Sequence, residues 1–108
     1  AKFVRKQKFM TPKTEKMIIP KKSIELGKGL TSLIINSSNA LLIDKTEYKK
    51  LVDINYKSKL GTAPESWLGV PLKLQNNETI GVLAVQSYSK EIIFDRKDLD
   101  ILNFSSEQ

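Results

Sequence analysis

Two long apolar runs separated by a short polar turn constrain the fold of this chain more than any other feature. The runs cover residues 66–74 and 79–88, and Gln75–Glu78 between them includes two asparagines. Asparagine tolerates the positive φ that tight turns need, so the pattern predicts a β-hairpin. Both runs are apolar at consecutive positions, which is typical of strands covered on both faces. The hairpin is therefore predicted to lie at the centre of a sheet, with Pro71 marking a bulge or a lapse in pairing.

Three helices are predicted around this hairpin, over residues 30–36, over residues 45–54 and from residue 96 onward. The first has apolar residues at i, i+3 and i+4. The second follows Asp44 with Glu47 three residues later, which is a capping-box pattern, and the third also follows an aspartate N-cap. Each helix therefore has an apolar face to bury.

The remaining apolar segments predict further strands. Residues 40–43 read as a short strand, and residues 2–26 as two short strands joined by a polar loop and interrupted by Pro12 and Pro20. The chain has 108 residues, enough for a single domain with its own core. The prediction is one α+β domain over residues 1–108.

The absence of two residue types removes most catalytic chemistry. The chain contains no cysteine and no histidine, which excludes disulfides, thiol nucleophiles, Ser-His-Asp triads and the usual zinc sites within these residues. Among the carboxylates at Asp44, Glu47 and Asp53, capping explains the first two, and no second ligand cluster supports a metal site, so none is predicted. The Gly27-Lys28-Gly29 break is too short for a phosphate-binding loop. No catalytic residue is predicted.

The net charge of +6 is concentrated in the first 28 residues, which carry nine lysines and arginines against Glu15 and Glu25. Such runs are usually solvated, so a nucleic-acid site is the weaker interpretation. No run of 18 apolar residues and no signal-peptide pattern is present, which favours a cytoplasmic location without membrane insertion by this segment. The chain begins with Ala1, as a processed product or a piece of a longer protein would.

From residue 26 onward the sequence resembles the GAF domain family. The resemblance depends on the order and spacing of four motifs: Leu26-Gly27-Lys28-Gly29-Leu30-Thr31, Ser66-Trp67-Leu68-Gly69-Val70-Pro71-Leu72, Ile80-Gly81-Val82-Leu83-Ala84-Val85-Gln86-Ser87-Tyr88, and Phe94 followed by Asp98-Leu99, Leu102, Phe104, Ser106 and Gln108. Residues 27–108 thus form the part that matches the family, and residues 1–26 form a basic segment. The subgroup that it is most similar to is common in bacterial and archaeal sensor proteins.

This resemblance implies a GAF-like fold: a central antiparallel sheet with helices on both faces, of the profilin-like or PAS-like kind. The opening helix and first strand of the family pattern are expected to be missing. The sequence departs from the family at Ser37-Ser38 and Ala40, where Thr-Gly and a proline are usual. It also lacks the cyclic-nucleotide signature, a cysteine for a bilin and a histidine for a haem. Neither cofactor is expected, and the ligand remains unknown.

The resemblance places a ligand pocket between the sheet and the 45–54 helix. Trp67 begins a central strand and would line the mouth of this pocket, with helix residues above it and strand hydroxyl or amide groups beside it. The other candidate ligand-binding residues are Tyr48, Leu51, Val52, Ser66, Gln86 and Ser87. For each of these residues ordinary packing or backbone hydrogen bonding is the alternative. Few fixed charges accompany them, which favours a small apolar or aromatic ligand over a nucleotide.

The leading hypothesis is a regulatory, ligand-sensing domain of a signal-transduction protein, with a sensor histidine kinase as the expected parent. The ligand would shift the loop around residues 55–65, and the terminal helices would carry the change to an output domain and form a homodimer. A scaffold or dimerisation domain with a filled pocket is the first alternative. A basic nucleic-acid-binding domain is the second, and an enzyme is least favoured.

Overall fold

A computed structural model describes residues 8–9, 11–24, 29–55 and 63–106 of the chain. Its strands are β1 (Thr14–Pro20), β2 (Leu41–Asp44), β3 (Ser66–Lys73) and β4 (Thr79–Ser87). Its helices are α1 (Gly29–Ser37), α2 (Lys45–Asn55) and α3 (Arg96–Ser106), and a 3-10 turn occupies Lys21–Ser23. The architecture is α+β, as predicted.

The four strands form one antiparallel sheet in the order β1-β4-β3-β2. The β3–β4 hairpin is central, which confirms the interpretation of its two-sided apolar pattern. Asn77 in the turn has a φ of 66°, the conformation that asparagine tolerates. A register irregularity falls between Leu72 and Lys73, just past Pro71, and pairing with β2 ends at Gly69. Pro71 therefore lies two residues beyond the end of the β2–β3 ladder.

The segment before α1 differs from the sequence-based expectation. Two short strands were predicted over residues 2–26, whereas the described residues of this stretch contain one strand, β1, followed by the 3-10 turn. Pro20 fixes the end of β1, because it pairs with Gly81 at the last position of the ladder and leads directly into the turn. Residues 2–7, 10, 25 and 26 lie outside the described part.

The sheet separates two hydrophobic clusters. One face packs against α1 and α2, and we call it the α1–α2 face; its buried strand residues include Ile43, Trp67, Val82 and Ala84. The other face packs against α3, and we call it the α3 face. Its buried residues are Phe9, Leu68, Val70, Leu83, Val85, Phe94 and Leu102. Successive strand residues point to opposite faces, so the two apolar faces come from one continuous apolar sequence.

Two helices begin with reciprocal caps. The sequence predicted the whole capping box at α2 and the Asp95 N-cap at α3. The Glu47 backbone N–H donates to Asp44 Oδ1 at 2.8 Å, and the Asp44 N–H donates to Glu47 Oε1 at 3.3 Å. At α3 the Asp98 N–H donates to Asp95 Oδ1 at 3.0 Å, and the Asp95 N–H donates to Asp98 Oδ2 at 2.9 Å. These bonds satisfy backbone donors that a helix leaves free at its start.

Asp98 also joins the beginning of the described chain to α3. Its side chain is fully buried, and Asp98 Oδ2 accepts a hydrogen bond from Lys8 Nζ at 3.0 Å. The same ammonium donates to the Ile93 carbonyl at 3.3 Å, and the neighbouring Phe9 ring lies 5.8 Å from the Phe94 ring. We call these four contacting residues and Ile93 the Lys8–Asp98 clasp.

None of the helices in the described part is long and apolar enough to cross a bilayer.

Candidate functional site

A row of four side chains crosses the α1–α2 face near one end of the sheet. The strand register places Glu15 beside Gln86, Gln86 beside Trp67, and Trp67 beside Ile43. Directly opposed residues of antiparallel strands have Cβ atoms about 4.5–5.5 Å apart. The row therefore brings a carboxylate, an amide, an indole and an aliphatic side chain together on one surface.

Trp67 anchors this row in the core. Its side chain is 4% exposed, and its six-membered ring extends along β3 over Gly69. A Cβ atom at Gly69 would lie 2.5 Å from Trp67 Cη2 and 2.6 Å from Ile34 Cδ1 of α1. Gly69 thus leaves the space that the indole and the α1 side chain fill. The six-membered ring of Trp67 is therefore packed within the core.

Helix α2 covers the β2 and β3 side of the same end. Tyr48 and Leu51, both half-buried, pack against the cluster that contains Trp67. Burial raises the pKa of the Tyr48 phenol above its ordinary value, so the group stays neutral and can donate or accept a hydrogen bond. The backbone of Val52 continues α2, but its side chain lies outside the described part.

Gln86 and Tyr88 border the opposite, β1 side of this end. Gln86 Nε2 donates to Glu15 Oε1 at 3.1 Å and lies 3.9 Å from Met17 Sδ. Tyr88 is 46% exposed. Its pKa is raised first by burial and then by the negative charge of Glu15 and the proximity of Tyr48.

Two of the predicted residues lie elsewhere. Ser66 and Ser87 are paired with each other in the register, on the α3 face, with 1% and 0% exposure. Ser66 Oγ accepts the Phe94 N–H at 3.0 Å, and Ser87 Oγ bonds both the N–H and the carbonyl of Ser89. Backbone hydrogen bonding was the alternative interpretation of these serines. They fix the connection from β4 to α3 and do not join Trp67, Tyr48, Leu51 and Gln86.

Charged groups surround the β2–β3 side of the same end, although the sequence suggested few of them. Lys45 Nζ lies 2.9 Å from Glu65 Oε2. Glu65 continues the β3–β4 pairing, since its N–H donates to the Ser87 carbonyl at 2.7 Å. The Lys45 hydrogen bond holds the pKa of Glu65 below its ordinary value against the effect of burial, and the charges of Lys45, Lys90 and Lys49 add to the lowering. We call these three lysines and Glu65 the lysine rim.

Sequence reasoning missed Glu15, Tyr88 and the lysine rim. Tyr88 stands two residues after Gln86, so strand alternation alone would have placed it on the same face. Glu15 carries no such local signal, because its position depends on the pairing of β1 with a strand at the other end of the chain. The rim likewise depends on the contact between the start of α2 and the residue before β3.

Comparison with known proteins identifies the family. The sequence model of the GAF domain family matches residues 12–108. The chain belongs to the GAF domain family. This confirms the resemblance drawn from the motifs after residue 26 and extends it to β1. GAF domains are generally regulatory domains and often bind small ligands. No curated protein sequence matches the chain.

Two solved structures share this GAF fold. One is a GAF domain that is 21% identical with a TM-score of 0.60, covering 78% of this chain. This chain spans 44% of that protein's length. The other is the type II free methionine-R-sulfoxide reductase from Thermoplasma acidophilum, which is 20% identical with a TM-score of 0.64. The match covers 98% of this chain and 89% of the reductase. At these identities the comparison shows the fold alone.

This GAF domain has a concave surface at the opposite end of the sheet from Trp67. An open groove of about 560 Å³ lies between the 3-10 turn and the start of β4, lined by Pro20, Lys21, Lys22, Ile24, Glu78, Thr79 and Ile80. None of the predicted ligand-binding residues lines it. Among the described residues, no three aspartates or glutamates are grouped closely enough to hold a metal ion.

Proposed function

We propose that this chain is a regulatory, small-molecule-sensing GAF domain of a signal-transduction protein. The ligand site lies on the α1–α2 face, between Trp67 below and Tyr48 on α2 above, with Leu51 and Gln86 at its sides. Val52 stays a candidate, but its side chain lies outside the described part. The convergence of Trp67, Tyr48 and Gln86 at the end of the sheet carries the proposal. Apolar and aromatic side chains with a few polar groups are the usual lining of a small-ligand site.

Sensing would work through a shift of populations. A ligand that binds one arrangement of α2 and the 55–65 segment more tightly than another favours that arrangement by the difference in binding free energy. Helix α2 leads directly into this segment, and residues 56–62 lie outside the described part. The terminal helices would pass the change to an output domain, for which we propose a cytoplasmic sensor histidine kinase that forms a homodimer through those helices.

Binding without turnover is supported by the residues that the chain lacks. The reductase that shares the fold acts on free methionine-R-sulfoxide, so this architecture accommodates a small molecule. Reduction of a sulfoxide needs two electrons, which protein thiols commonly supply. These 108 residues contain no cysteine and no histidine. We therefore propose ligand binding, not sulfoxide reduction, for this domain.

A thermal-shift screen of metabolites tests the sensing proposal. A ligand present at 100 times its dissociation constant stabilises the folded state by about 2.7 kcal/mol. For a domain of this size the melting temperature should rise by about 10 °C or more. The panel should contain aromatic and aliphatic acids, their neutral analogues, cyclic nucleotides and methionine sulfoxide. If no class of compound moves the melting temperature, the scaffold or dimerisation alternative replaces sensing.

The nucleic-acid alternative has a separate expected result. The basic residues before α1 should give only weak duplex binding, whose affinity falls steeply between 50 and 200 mM salt because binding releases condensed counterions. Fluorescence anisotropy with a labelled duplex measures this dependence. Tight binding that persists at physiological salt would favour a nucleic-acid function over small-molecule sensing.

A further inference from the structure

The groove between the 3-10 turn and the start of β4 has walls that hydrogen bonds hold in place. On one side the Ile24 N–H donates to the Lys21 carbonyl at 3.0 Å, which closes the turn. On the other side the Thr79 hydroxyl lies 3.2 Å from the hydroxyl of Ser38, the residue after α1. A concave surface held in this way exists before a partner binds, so binding loses little free energy to ordering it.

Apolar side chains form a large part of the groove lining. Pro20, Ile24 and Ile80 contribute this surface. Ile80 is 45% exposed, so much of it meets solvent although it stands in a strand. Covering such a surface is favourable in proportion to the apolar area that is removed from water. The groove is therefore suited to an apolar group of a partner.

Positive charge predominates around this apolar surface. Lys21 and Lys22 line the groove, both are exposed, and neither has an ion-pair partner among the residues that the structure describes. Lys73 stands opposite Thr79 in the strand register and adds a third ammonium group next to the lining. Glu78 is the one acidic residue in that lining. Three lysines thus face a single carboxylate.

The neighbouring segments do not reverse this balance. Helix α1 contains no charged residue. In β1 the charges of Glu15 and Lys16 cancel, and both residues stand four or more positions before Pro20. Residues 25–28 carry one glutamate and one lysine, and they lie outside the described part. The groove is therefore complementary to a partner with negative charge.

The shape of the groove favours a peptide over a small molecule. Small-molecule sites enclose most of the surface of their ligand. This groove has a volume of about 560 Å³ but is open to solvent, so it covers only one side of an occupant. A peptide can place one side chain in such a groove while its backbone and flanking residues remain in water.

We propose that the groove binds a peptide segment of a partner protein in which an aliphatic or aromatic side chain is flanked by acidic residues. The apolar side chain lies against Ile80 and its neighbours, and the flanking carboxylates bind Lys21 and Lys22. Hydrogen bonds from ammonium to carboxylate are stronger than those between neutral groups. Recognition of acidic motifs by clusters of basic residues is a recurring mode of peptide binding. This surface lies apart from Trp67, and the inference does not depend on the sensing function.

Three hexapeptides and the isotope-labelled 108-residue chain provide the test. The first peptide is Glu-Asp-Leu-Phe-Asp-Glu, the second replaces each acid with its amide, and the third replaces Leu-Phe with Ser-Ser. Titration with the first peptide, followed by NMR, should shift the backbone amide signals of residues 21–24 and 78–80. Affinity for the second and third peptides should be about 5-fold or more weaker. Binding of the first peptide should also weaken with added salt.

A charge variant tests the role of the lysines. Lys21→Gln combined with Lys22→Gln should lower the affinity for the first peptide about 5-fold, because two exposed ion pairs are lost. Lys16→Gln combined with Lys97→Gln is the matched control, since it removes the same charge from exposed positions outside the groove lining. This control should change the affinity less than twofold.

An apolar variant tests the role of Ile80. Ile80→Thr keeps a β-branched residue in the strand but removes apolar surface, so affinity for the first peptide should fall about 3-fold. Ile18→Thr is the matched control, because Ile18 is 67% exposed on β1 and does not line the groove. Its affinity should match that of the unmodified chain. Unchanged melting temperatures would show that both variants fold.

Several outcomes would overturn the peptide assignment. Equal affinity for the acidic and amide peptides would remove the role of charge, and equal losses in the groove and control variants would remove the role of the groove. Amide shifts confined to other surfaces, or no binding of any hexapeptide at millimolar concentration, would reject the proposal. Tighter binding of N-acetyl-leucine than of the first peptide would indicate a small-molecule site instead.

Discussion

Trp67→Ala is expected to lower the free energy of unfolding by about 3–5 kcal/mol, the usual cost of truncating a buried aromatic residue. The indole is 4% exposed and fills the space above Gly69 next to Ile34. Its removal leaves a cavity between α1 and the sheet that the surrounding strands are too rigid to close. The melting temperature should fall by more than about 12 °C, as measured by urea and thermal unfolding.

Trp67→Phe is the informative comparison, since phenylalanine keeps an aromatic ring but has a shorter side chain. The Trp67→Phe variant should retain a large part of the stability that the Trp67→Ala variant loses. Gly69→Ala should cost about 1–3 kcal/mol in the native background through overpacking against the indole. The cost should shrink in the Trp67→Phe background, where the ring atoms nearest Gly69 are absent. A loss below about 1 kcal/mol for Trp67→Ala would show that the indole does not support the core.

Asp98→Ala is expected to destabilise the domain by about 3 kcal/mol. The substitution removes the partner of Lys8 and the acceptor of the Asp95 N–H in one step. Breaking a buried ion pair typically costs about 3–5 kcal/mol, and the loss here falls at the lower end because the Lys8 side chain is 30% exposed and can turn to water. Chemical unfolding of the variant and the wild-type chain measures the difference.

Asp100→Ala on the same helix is the matched control. Asp100 also faces a basic residue, Arg96 at 3.8 Å, but both side chains are largely exposed. Its removal should change stability by less than about 0.5 kcal/mol. Lys8→Met and Asp98→Ala should be less than additive in the double variant, by about 1–2 kcal/mol. Full additivity would mean that the Lys8–Asp98 contact contributes nothing as a pair.

Local patterns predicted most of the elements of this fold. The β3–β4 hairpin was recognisable because its turn residues and its two-sided apolar strands each have one preferred conformation. The start of α2 was recognisable because Asp44 is followed by Glu47 at capping-box spacing, and the start of α3 because Asp95 is a favourable N-cap residue with Asp98 in the first turn. These features depend only on neighbours in sequence, which is why the sequence alone was sufficient.

The candidate site was only partly predictable, for two physical reasons. Ser66 and Trp67 are adjacent in one strand and so point to opposite faces, but nothing local says which of them faces α2. The register with β2 and β4 decides this, and it separates both serines from the aromatic residues. Glu15 and Glu65 lie near these residues because β1 pairs with β4 and because Lys45 of α2 contacts the residue before β3. Local periodicity carries no information about such contacts.

The order of the strands has a consequence for how the domain assembles. Within the described sheet, β1 pairs only with β4, the last strand to be synthesised, while β2 pairs only with β3. During translation the backbone groups of β1 cannot form these pairs until β4 has left the ribosome. Non-local pairing of this kind slows folding, because the chain loses the entropy of the closed loop before any stabilising contact forms. The β3–β4 hairpin can therefore form before β1 docks on it.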